Sequence, residues 1–335
     1  MIAYRGDCRR AGAWRRPLVL GFLLLLSHGA VGATADGYPN RPVRLVVPYQ
    51  AGGGPDVMAR ALAGQLERQL GRPYVVDNRA GASGLIGIEV VTKATPDGYT
   101  MLFVTSSLAV NQALREKSPY DLDRDLAPVS CVGRGAGFLL VVHPSVPAQS
   151  LAEFLTLARN RDRPLAYASS GSANVSHMMG EMFNLRARTH MMNVPYKGSA
   201  PALTAVLSGE VQAYFVTPTI SVAPIKAGKL RALGFTGSAR WNQMPEVPAI
   251  AEAVPGFRMD AGWMGWLAPA RTPAAIVART QREIGRALQD PKVRDYVLSS
   301  GYEPCGNTPE EFRGFIREEL KRFAEIARLT GIKIH

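Results

Sequence analysis

Four turns rich in glycine and small hydroxyl residues are the parts of this chain best suited to bind a small anion. Each follows a short apolar segment typical of a strand and opens into a helix. A helix start carries amide N–H groups without partners and a partial positive charge, so it attracts anions. The four turns are Gln50-Ala51-Gly52-Gly53-Gly54, Thr105-Ser106-Ser107, Ser169-Ser170-Gly171-Ser172 and Tyr196-Lys197-Gly198-Ser199.

Hydrogen bonds from such turns are strong enough to hold a carboxylate. Each hydrogen bond to a charged group contributes about 1.5–3 kcal/mol. Three or four of them, less the costs of association, reach the ~8 kcal/mol of micromolar binding. The turns therefore predict a carboxylate site without an arginine clamp, although glycine and serine also form turns that bind nothing.

The first turn carries specific expectations about its backbone. We expect the backbone at Gly53 to approach the ligand closely and to need a positive φ. Asp56 at the helix start is expected to act as an N-terminal cap that fixes the turn by hydrogen bonding to it.

Motifs of nucleotide-binding proteins and hydrolases are absent from the sequence. It contains no G-x-x-x-x-G-K-[ST], G-x-G-x-x-G or G-x-S-x-G, and no histidine stands at a metal-ligand spacing. We therefore predict no cofactor, no metal and no catalytic residue. A hydrolase-like enzyme that uses Asp56 and His177 stays open as the alternative, and a packing or ligand-contact role for His177 is favoured over a role as base.

The elements that position these turns are clearest at the first one. Residues 43–47 form a β-branched strand, and a helix begins at Pro55 and ends before Gly71. Its apolar residues recur every four positions: Met58, Leu62, Leu66 and Leu70. The last helix begins with the capping box Thr308-Pro309-Glu310-Glu311, and its aromatic residues are expected in the core.

Strand and helix patterns alternate through the chain, which indicates an α/β fold with mostly parallel sheets. Two apolar strands, residues 138–142 and 263–267, are interpreted as crossings between two lobes. Residues 36–137 and 261–335 then form the first lobe, and residues 138–260 form the second. In open α/β sheets, ligands bind beyond the carboxyl ends of the strands, where the four turns lie.

Residues 1–35 have the pattern of a secretory signal: arginine pairs, a short apolar run and small residues before a cleavage site near Ala33 or Ala35. The chain is therefore expected to be exported, by either the general or the twin-arginine route.

Residues 1–35 hold five of the 39 basic and one of the 27 acidic residues, so the rest of the chain carries a formal charge of +8. These basic residues are scattered, which argues against nucleic acid as a partner. The two cysteines outside residues 1–35, Cys131 and Cys305, are expected either to form a disulfide or to remain free thiols.

Seven motifs, in order, closely resemble the Bug-type substrate-binding proteins of tripartite tricarboxylate transporters. The resemblance covers residues 38–334. The motifs are Pro48-Tyr49-Gln50-Ala51-Gly52-Gly53-Gly54-Pro55-Asp56, Val76-Asp77-Asn78-Arg79-Ala80-Gly81-Ala82, Thr95-Pro96-Asp97-Gly98-Tyr99-Thr100, Ala168-Ser169-Ser170-Gly171, Val194-Pro195-Tyr196-Lys197-Gly198, Ile225-Lys226-Ala227-Gly228-Lys229-Leu230-Arg231 and Leu267-Ala268-Pro269.

The resemblance implies a two-lobe periplasmic-binding-protein (Venus flytrap) fold with a hinge of crossing strands. It also implies a monomeric periplasmic receptor that passes a small carboxylate to membrane transporter subunits or, as an orphan, to a sensor kinase. Val216-Thr217 stands where many relatives carry Asp-Asn, which argues against an amino-group ligand. By motif match, the ligand-binding residues would be Gly52, Gly53, Asp56, Thr105, Ser106, Ser170, Gly171, Ser172, His177, Tyr196 and Lys197.

Overall fold

The computed structural model describes residues 37–115, 117–172, 174–257, 259 and 262–332, together with residue 2. All elements below belong to the unit Ala33–His335. The predicted signal segment and its cleavage site lie outside the described residues, apart from residue 2. Within the described part, no helix is long and apolar enough to cross a membrane.

The strands form one six-stranded and one five-stranded sheet, with the orders β11-β4-β10-β3-β1-β2 and β7-β6-β8-β5-β9. The strands are β1 (Val43–Val47), β2 (Tyr74–Asn78), β3 (Thr100–Thr105), β4 (Leu126–Gly135), β5 (Leu139–Val142), β6 (Ala166–Ser169), β7 (Met192–Pro195), β8 (Ala213–Val216), β9 (Arg231–Phe235), β10 (Trp263–Pro269) and β11 (Tyr302–Pro304).

Helices pack against these sheets. They are α1 (Gly54–Leu70), α2 (Leu85–Thr92), α3 (Ser107–Leu114), α4 (Leu122–Asp125), α5 (Leu151–Ala158), α6 (Val175–Ala187), α7 (Ser199–Leu207), α8 (Pro218–Lys226), α9 (Ala274–Ala287), α10 (Pro291–Ser299) and α11 (Pro309–Thr330). Short 3₁₀ helices span Ala82–Gly84 and Ile250–Glu252.

Two predicted helices are confirmed to within a residue. α1 begins at Gly54 with Pro55 in its first turn, and it ends at Gly71, which has a left-handed φ of 66°. The capping box of α11 is formed by Thr308 and Glu311. Phe312 and Phe323 of this helix are fully buried, as expected of core residues.

Both sheets are mixed rather than mostly parallel. β1 pairs in parallel with β2 and β3, and β6 pairs in parallel with β7 and β8. Every antiparallel pair except β4–β11 involves β5 or β10. These two strands enter their sheet from the other sheet, without the crossover helix that a parallel connection within one sheet requires.

The hydrophobic core extends through both sheets. Leu140 and Val142 of β5 face a large cluster that also contains residues of the six-stranded sheet, such as Phe103. Leu139 and Val141 face a second cluster on the opposite side of the five-stranded sheet. β5 is therefore buried on both faces.

Candidate functional site

Five helix starts converge on one cavity, which we call the Ser106 cavity. The helices α1, α3, α6, α7 and α8 each follow a strand, β1, β3, β6, β7 and β8 respectively. Residues at or beside all five starts line the cavity: Pro55, Ser106, Ser107, Asn174, Val175, Ser199 and Thr217. The predicted meeting of strand ends and helix starts is thus observed, and α8 adds a fifth helix to the four expected turns.

The Ser106 cavity comprises about 470 Å³ of empty space, part of it open to solvent, and combines aromatic walls with small polar groups. None of the described residues that line it carries a charged side chain. Its remaining lining residues are Tyr49, Thr105, Phe138, Ser170, Tyr214, Met264 and Tyr302. The positive potential inside it therefore comes from helix starts rather than from lysine or arginine.

Two hydroxyl groups of the cavity lining have no hydrogen-bond partner within the described part of the chain. Ser106 is fully buried, and its Oγ is unpaired. Thr217 Oγ1 at the start of α8 is also buried and unpaired. Leaving such a group unsatisfied costs about 1–3 kcal/mol and is rare in native proteins, which makes these two hydroxyls candidates for bonding to a ligand.

Tyr49 and Thr105 order the wall between β1 and β3. The Tyr49 hydroxyl lies 2.8 Å from Thr105 Oγ1, and the Thr105 amide donates to the Tyr49 hydroxyl at 3.2 Å. Burial raises the pKa of Tyr49, so this hydroxyl stays neutral. Opposite them, the Val175 amide donates to Ser107 Oγ at 3.4 Å and joins the start of α6 to the start of α3.

Asp56 shapes the first turn and does not line the cavity. Its carboxylate accepts hydrogen bonds from the Gly52 amide at 2.9 Å, Asn78 Nδ2 at 3.0 Å and Arg60 Nε at 3.1 Å. Burial alone would raise the pKa of Asp56, but the bonds from Arg60, Gly52 and Asn78 outweigh it and lower the pKa. The predicted bond from this carboxylate to the glycine turn is confirmed, from the first helical turn rather than from the cap position, which Gly53 occupies.

The expected positive φ at Gly53 is wrong. Gly52 has the left-handed φ of 80°, whereas Gly53 has φ −78° and ψ 162°, which any residue can adopt. Gly53 is instead closely packed, because a Cβ there would lie 2.6 Å from Ser199 Oγ and 3.4 Å from the Gln50 carbonyl oxygen. The starts of α1 and α7 thus touch at this residue.

A second cavity, which we call the Lys197 cavity, adjoins the first and comprises about 590 Å³ of empty space, part of it open to solvent. The two share Tyr49, Ser170 and Asn174. Five predicted site residues line the Lys197 cavity: Ser170, Gly171, Ser172, Tyr196 and Lys197. Of the other predicted residues, Thr105 and Ser106 line the Ser106 cavity, whereas Gly52, Gly53, Asp56 and His177 line neither.

The loop 80–84 also lines the Lys197 cavity, and sequence reasoning did not include it in the site. Gly81, Ala82, Ser83 and Gly84 all have positive φ, at 134°, 46°, 58° and 96°. Such values are unfavourable for Ala and Ser and concentrate at functional sites. Ser83 Oγ donates to the Ser172 carbonyl, and Asn111 Nδ2 donates to the Ser83 carbonyl at 2.7 Å. In the sequence, the two glycines that flank Ala82-Ser83 were the signal that could have identified this loop as part of the site.

His177 lies in the first turn of α6, beside Tyr167 and Glu181. The Tyr167 hydroxyl lies 3.2 Å from the His177 carbonyl and 2.7 Å from Glu181 Oε1. Burial lowers the pKa of His177, and Glu181 partly opposes this. Among the described residues, no hydrogen bond joins His177 to Asp56, whose carboxylate is already occupied. The arrangement therefore does not favour the hydrolase alternative.

A metal site is not apparent in the described part of the chain. No three or more His, Cys, Asp or Glu residues lie close enough together there to hold an ion.

The chain matches the model of the tripartite tricarboxylate transporter family receptor over residues 58–332. It is 38% identical to Protein BugT of Bordetella pertussis, covering 94% of this chain and 97% of that protein. Among solved structures, it is similar to R. palustris Rpa4515 with adipate, at 34% identity and a TM-score of 0.85, over 88% of this chain and 99% of the other.

It is also similar to MatC (Rpa3494) from Rhodopseudomonas palustris with bound malate, at 29% identity and a TM-score of 0.81, over 86% of this chain and 99% of the other. The expected periplasmic-binding-protein fold is confirmed by these similarities. The family match spans most of the chain and agrees with the order of the seven motifs. The chain therefore belongs to the Bug-type receptors of the tripartite tricarboxylate transporter family.

Proposed function

We propose that this protein captures a small carboxylate in the Ser106 cavity and delivers it to a tripartite tricarboxylate-type membrane transporter. The convergence of five helix starts on a cavity lined by no charged side chain, with the buried Ser106 hydroxyl unpaired, carries this proposal. Two or three hydrogen bonds to the carboxylate, at about 1.5–3 kcal/mol each, supply most of micromolar binding.

The two sheets are proposed to belong to the two lobes of the receptor. Residues 36–137 and 261–335 form one lobe, and residues 138–260 form the other. In support, the chain changes sheet between Gly135 and Leu139, and again between Phe235 and Trp263. The contact of Ser83 with Ser172 and that of Ser107 with Val175 then join the lobes across the ligand.

The predicted site residues take three roles in this proposal. Ser106, Ser170 and Thr105 contact the ligand, with Thr217 as an addition. Gly171, Ser172, Tyr196 and Lys197 form the outer wall, in the Lys197 cavity. Gly52, Gly53 and Asp56 shape the α1 start, and His177 packs behind the α6 start.

The location and the partners follow from the family. The adipate and malate in the two solved relatives support a carboxylate ligand, and the family description supports a transporter as the recipient. A sensor kinase is the recipient if the protein is an orphan receptor. The signal-like residues 1–35 support export to the periplasm.

The ligand is expected to lack an ammonium group. No acidic side chain occurs among the described residues that line either cavity, so nothing there pairs with a cation. Succinate and aspartate form a matched pair, because they share a carbon skeleton and differ by one ammonium group. In thermal scans at equal concentrations, succinate should raise Tm more than aspartate, and the reverse order would contradict this specificity.

Native mass spectrometry of protein isolated from its own periplasm tests the proposal most directly, because a retained ligand reveals its mass. A carboxylate panel in thermal scanning provides the second test. A ligand at 100 times its Kd adds about 2.7 kcal/mol of stability. Stabilisation without turnover supports the receptor, whereas product formation supports an enzyme, and no shift with any carboxylate overturns the proposal.

A further inference from the structure

The two cysteines, which lie far apart in sequence, are brought together at one edge of the six-stranded sheet. Cys131 lies in β4 and is buried, and Cys305 directly follows β11 and is partly exposed. The Cys305 amide donates to the Val132 carbonyl at 3.1 Å, and the Gly306 amide donates to the Cys131 carbonyl at 2.9 Å. The backbones therefore stay within hydrogen-bonding distance beyond the end of β11.

An irregular step in this pairing brings the thiols to the same side. The regular register ends with Pro304 opposite Gly133, and its continuation would place Cys305 opposite Val132. Because side chains alternate along a strand, Cys131 would then point to the other face. Instead, two consecutive amides donate to two consecutive carbonyls, and Gly306 has a left-handed φ of 67°. This departure lets the two thiols contact each other.

The two thiols lie close enough to interact. Burial raises the pKa of the Cys131 thiol, and the neighbouring Cys305 thiol raises it further. The Cys305 thiol itself donates to the Glu303 carbonyl at 3.8 Å. Backbone segments joined by hydrogen bonds lie about 4.8 Å apart, and a disulfide spans about 4.4–6.8 Å between Cα atoms, so neighbouring residues on two such segments are close enough to be bridged. Both cysteines are free thiols in this structure.

We propose that Cys131 and Cys305 are the site of an intramolecular disulfide that forms when the protein folds in an oxidising compartment. The oxidant is a protein that carries a reactive disulfide. The Cys305 thiolate attacks one sulfur of that disulfide and displaces the other, which forms a mixed disulfide. The Cys131 thiolate then attacks the Cys305 sulfur and releases the oxidant. Two electrons and two protons pass from the cysteines to the oxidant, which leaves as a dithiol.

The disulfide would tie β4 to the segment that leads into α11. α11 packs against β4, α3 and α6, so the link would hold elements next to both sheets. The two cysteines enclose more than half of the chain, and closing so long a loop restricts the unfolded state strongly. Neither cysteine lines the Ser106 cavity, so ligand affinity should not depend on the bond.

The test begins with wild-type protein refolded from denaturant in a glutathione redox buffer, then alkylated under denaturing conditions without reductant. We expect both cysteines to escape alkylation and peptide mapping to find Cys131 joined to Cys305. We also expect reductant to lower Tm by roughly 5–10 °C.

A variant with Cys131→Ser and Cys305→Ser together serves as the control. Its Tm should not respond to reductant, which separates loss of the bond from other effects of the reagent. Alkylation of both cysteines after oxidative refolding would overturn the proposal even if every variant folds. If the disulfide is present but reductant leaves the Tm of the wild-type protein unchanged, the stabilising role is overturned.

Discussion

The Ser106 cavity and the Lys197 cavity share three residues, yet their polar groups are of different kinds. The Ser106 cavity is lined by five helix starts and uncharged side chains. The Lys197 cavity is lined by four loop segments, and Lys197 is an exposed side chain on one of them. Backbone groups at helix starts are thus what can attract an anion to the first cavity, whereas an exposed lysine contributes to the second.

The difference indicates which cavity determines affinity. An exposed lysine is screened by water and salt, and its ion pairs contribute about 0–1 kcal/mol. Buried donors fixed by helices cost no side-chain ordering when the ligand binds, and they act where water is excluded. Variants in the Ser106 cavity should therefore affect binding far more than the loss of Lys197.

The largest effect is expected from Gly53→Val. The branched side chain would crowd Ser199 Oγ, the Gln50 carbonyl and the Ala200 amide between the starts of α1 and α7, so affinity should fall roughly a hundredfold or more. Calorimetry with the best ligand of the carboxylate panel measures this. Gly64→Val is the matched control on the same helix, because a Cβ there meets only Arg68 at 3.7 Å. Equal affinity of the two variants would refute the close approach at Gly53.

Ser106→Ala should lower affinity about tenfold, since one hydrogen bond to the carboxylate is lost. The same change should leave Tm without ligand unchanged or raised, because it removes an unpaired buried hydroxyl. Ser130→Ala is the control, since Ser130 Oγ donates to Asn307 far along the chain. It should lower Tm and keep affinity. If Ser106→Ala behaves like Ser130→Ala, Ser106 is a structural residue.

Asp56→Ala should lower affinity about five- to tenfold and stability by about 1–3 kcal/mol, through loss of the bonds that hold the turn. The pKa of Asp56 is lower in the folded chain than in the unfolded chain, so the folded state binds fewer protons. The stabilisation is present above the unfolded pKa of about 3.9 and is lost as pH falls through the folded pKa. Urea unfolding at pH 7 and below pH 4 checks this, and a pH-independent difference between variant and wild type would contradict it.

Lys197→Ala should have the smallest effect, a loss of fivefold or less in affinity, as expected for an exposed charge. The dependence of affinity on salt should also weaken, because a screened attraction is removed. Calorimetry at low and at physiological ionic strength measures both. If Lys197→Ala abolishes binding while Gly53→Val preserves it, the contrast between the two cavities is reversed.

Local sequence determined the elements and the position of the turns. The periodicity and terminal glycine of α1, and the capping box of α11, involve residues within a few positions of each other. The same holds for the bond from Asp56 to the glycine turn. Hydrogen bonding and helix periodicity act over such short spans, so these features could be derived without any knowledge of the tertiary structure.

The tertiary structure decided what the turns face. Phe138, Tyr214 and Tyr302 come from three distant segments, and only packing places them around Ser106. The unpaired state of the Ser106 hydroxyl, the space limit at Gly53 and the meeting of Cys131 with Cys305 are likewise contacts across many residues. Such contacts depend on how the two sheets and their crossing strands pack. The local pattern therefore located the turns that are proposed to bind the anion, and only the packed sheets decided which of them line a common cavity.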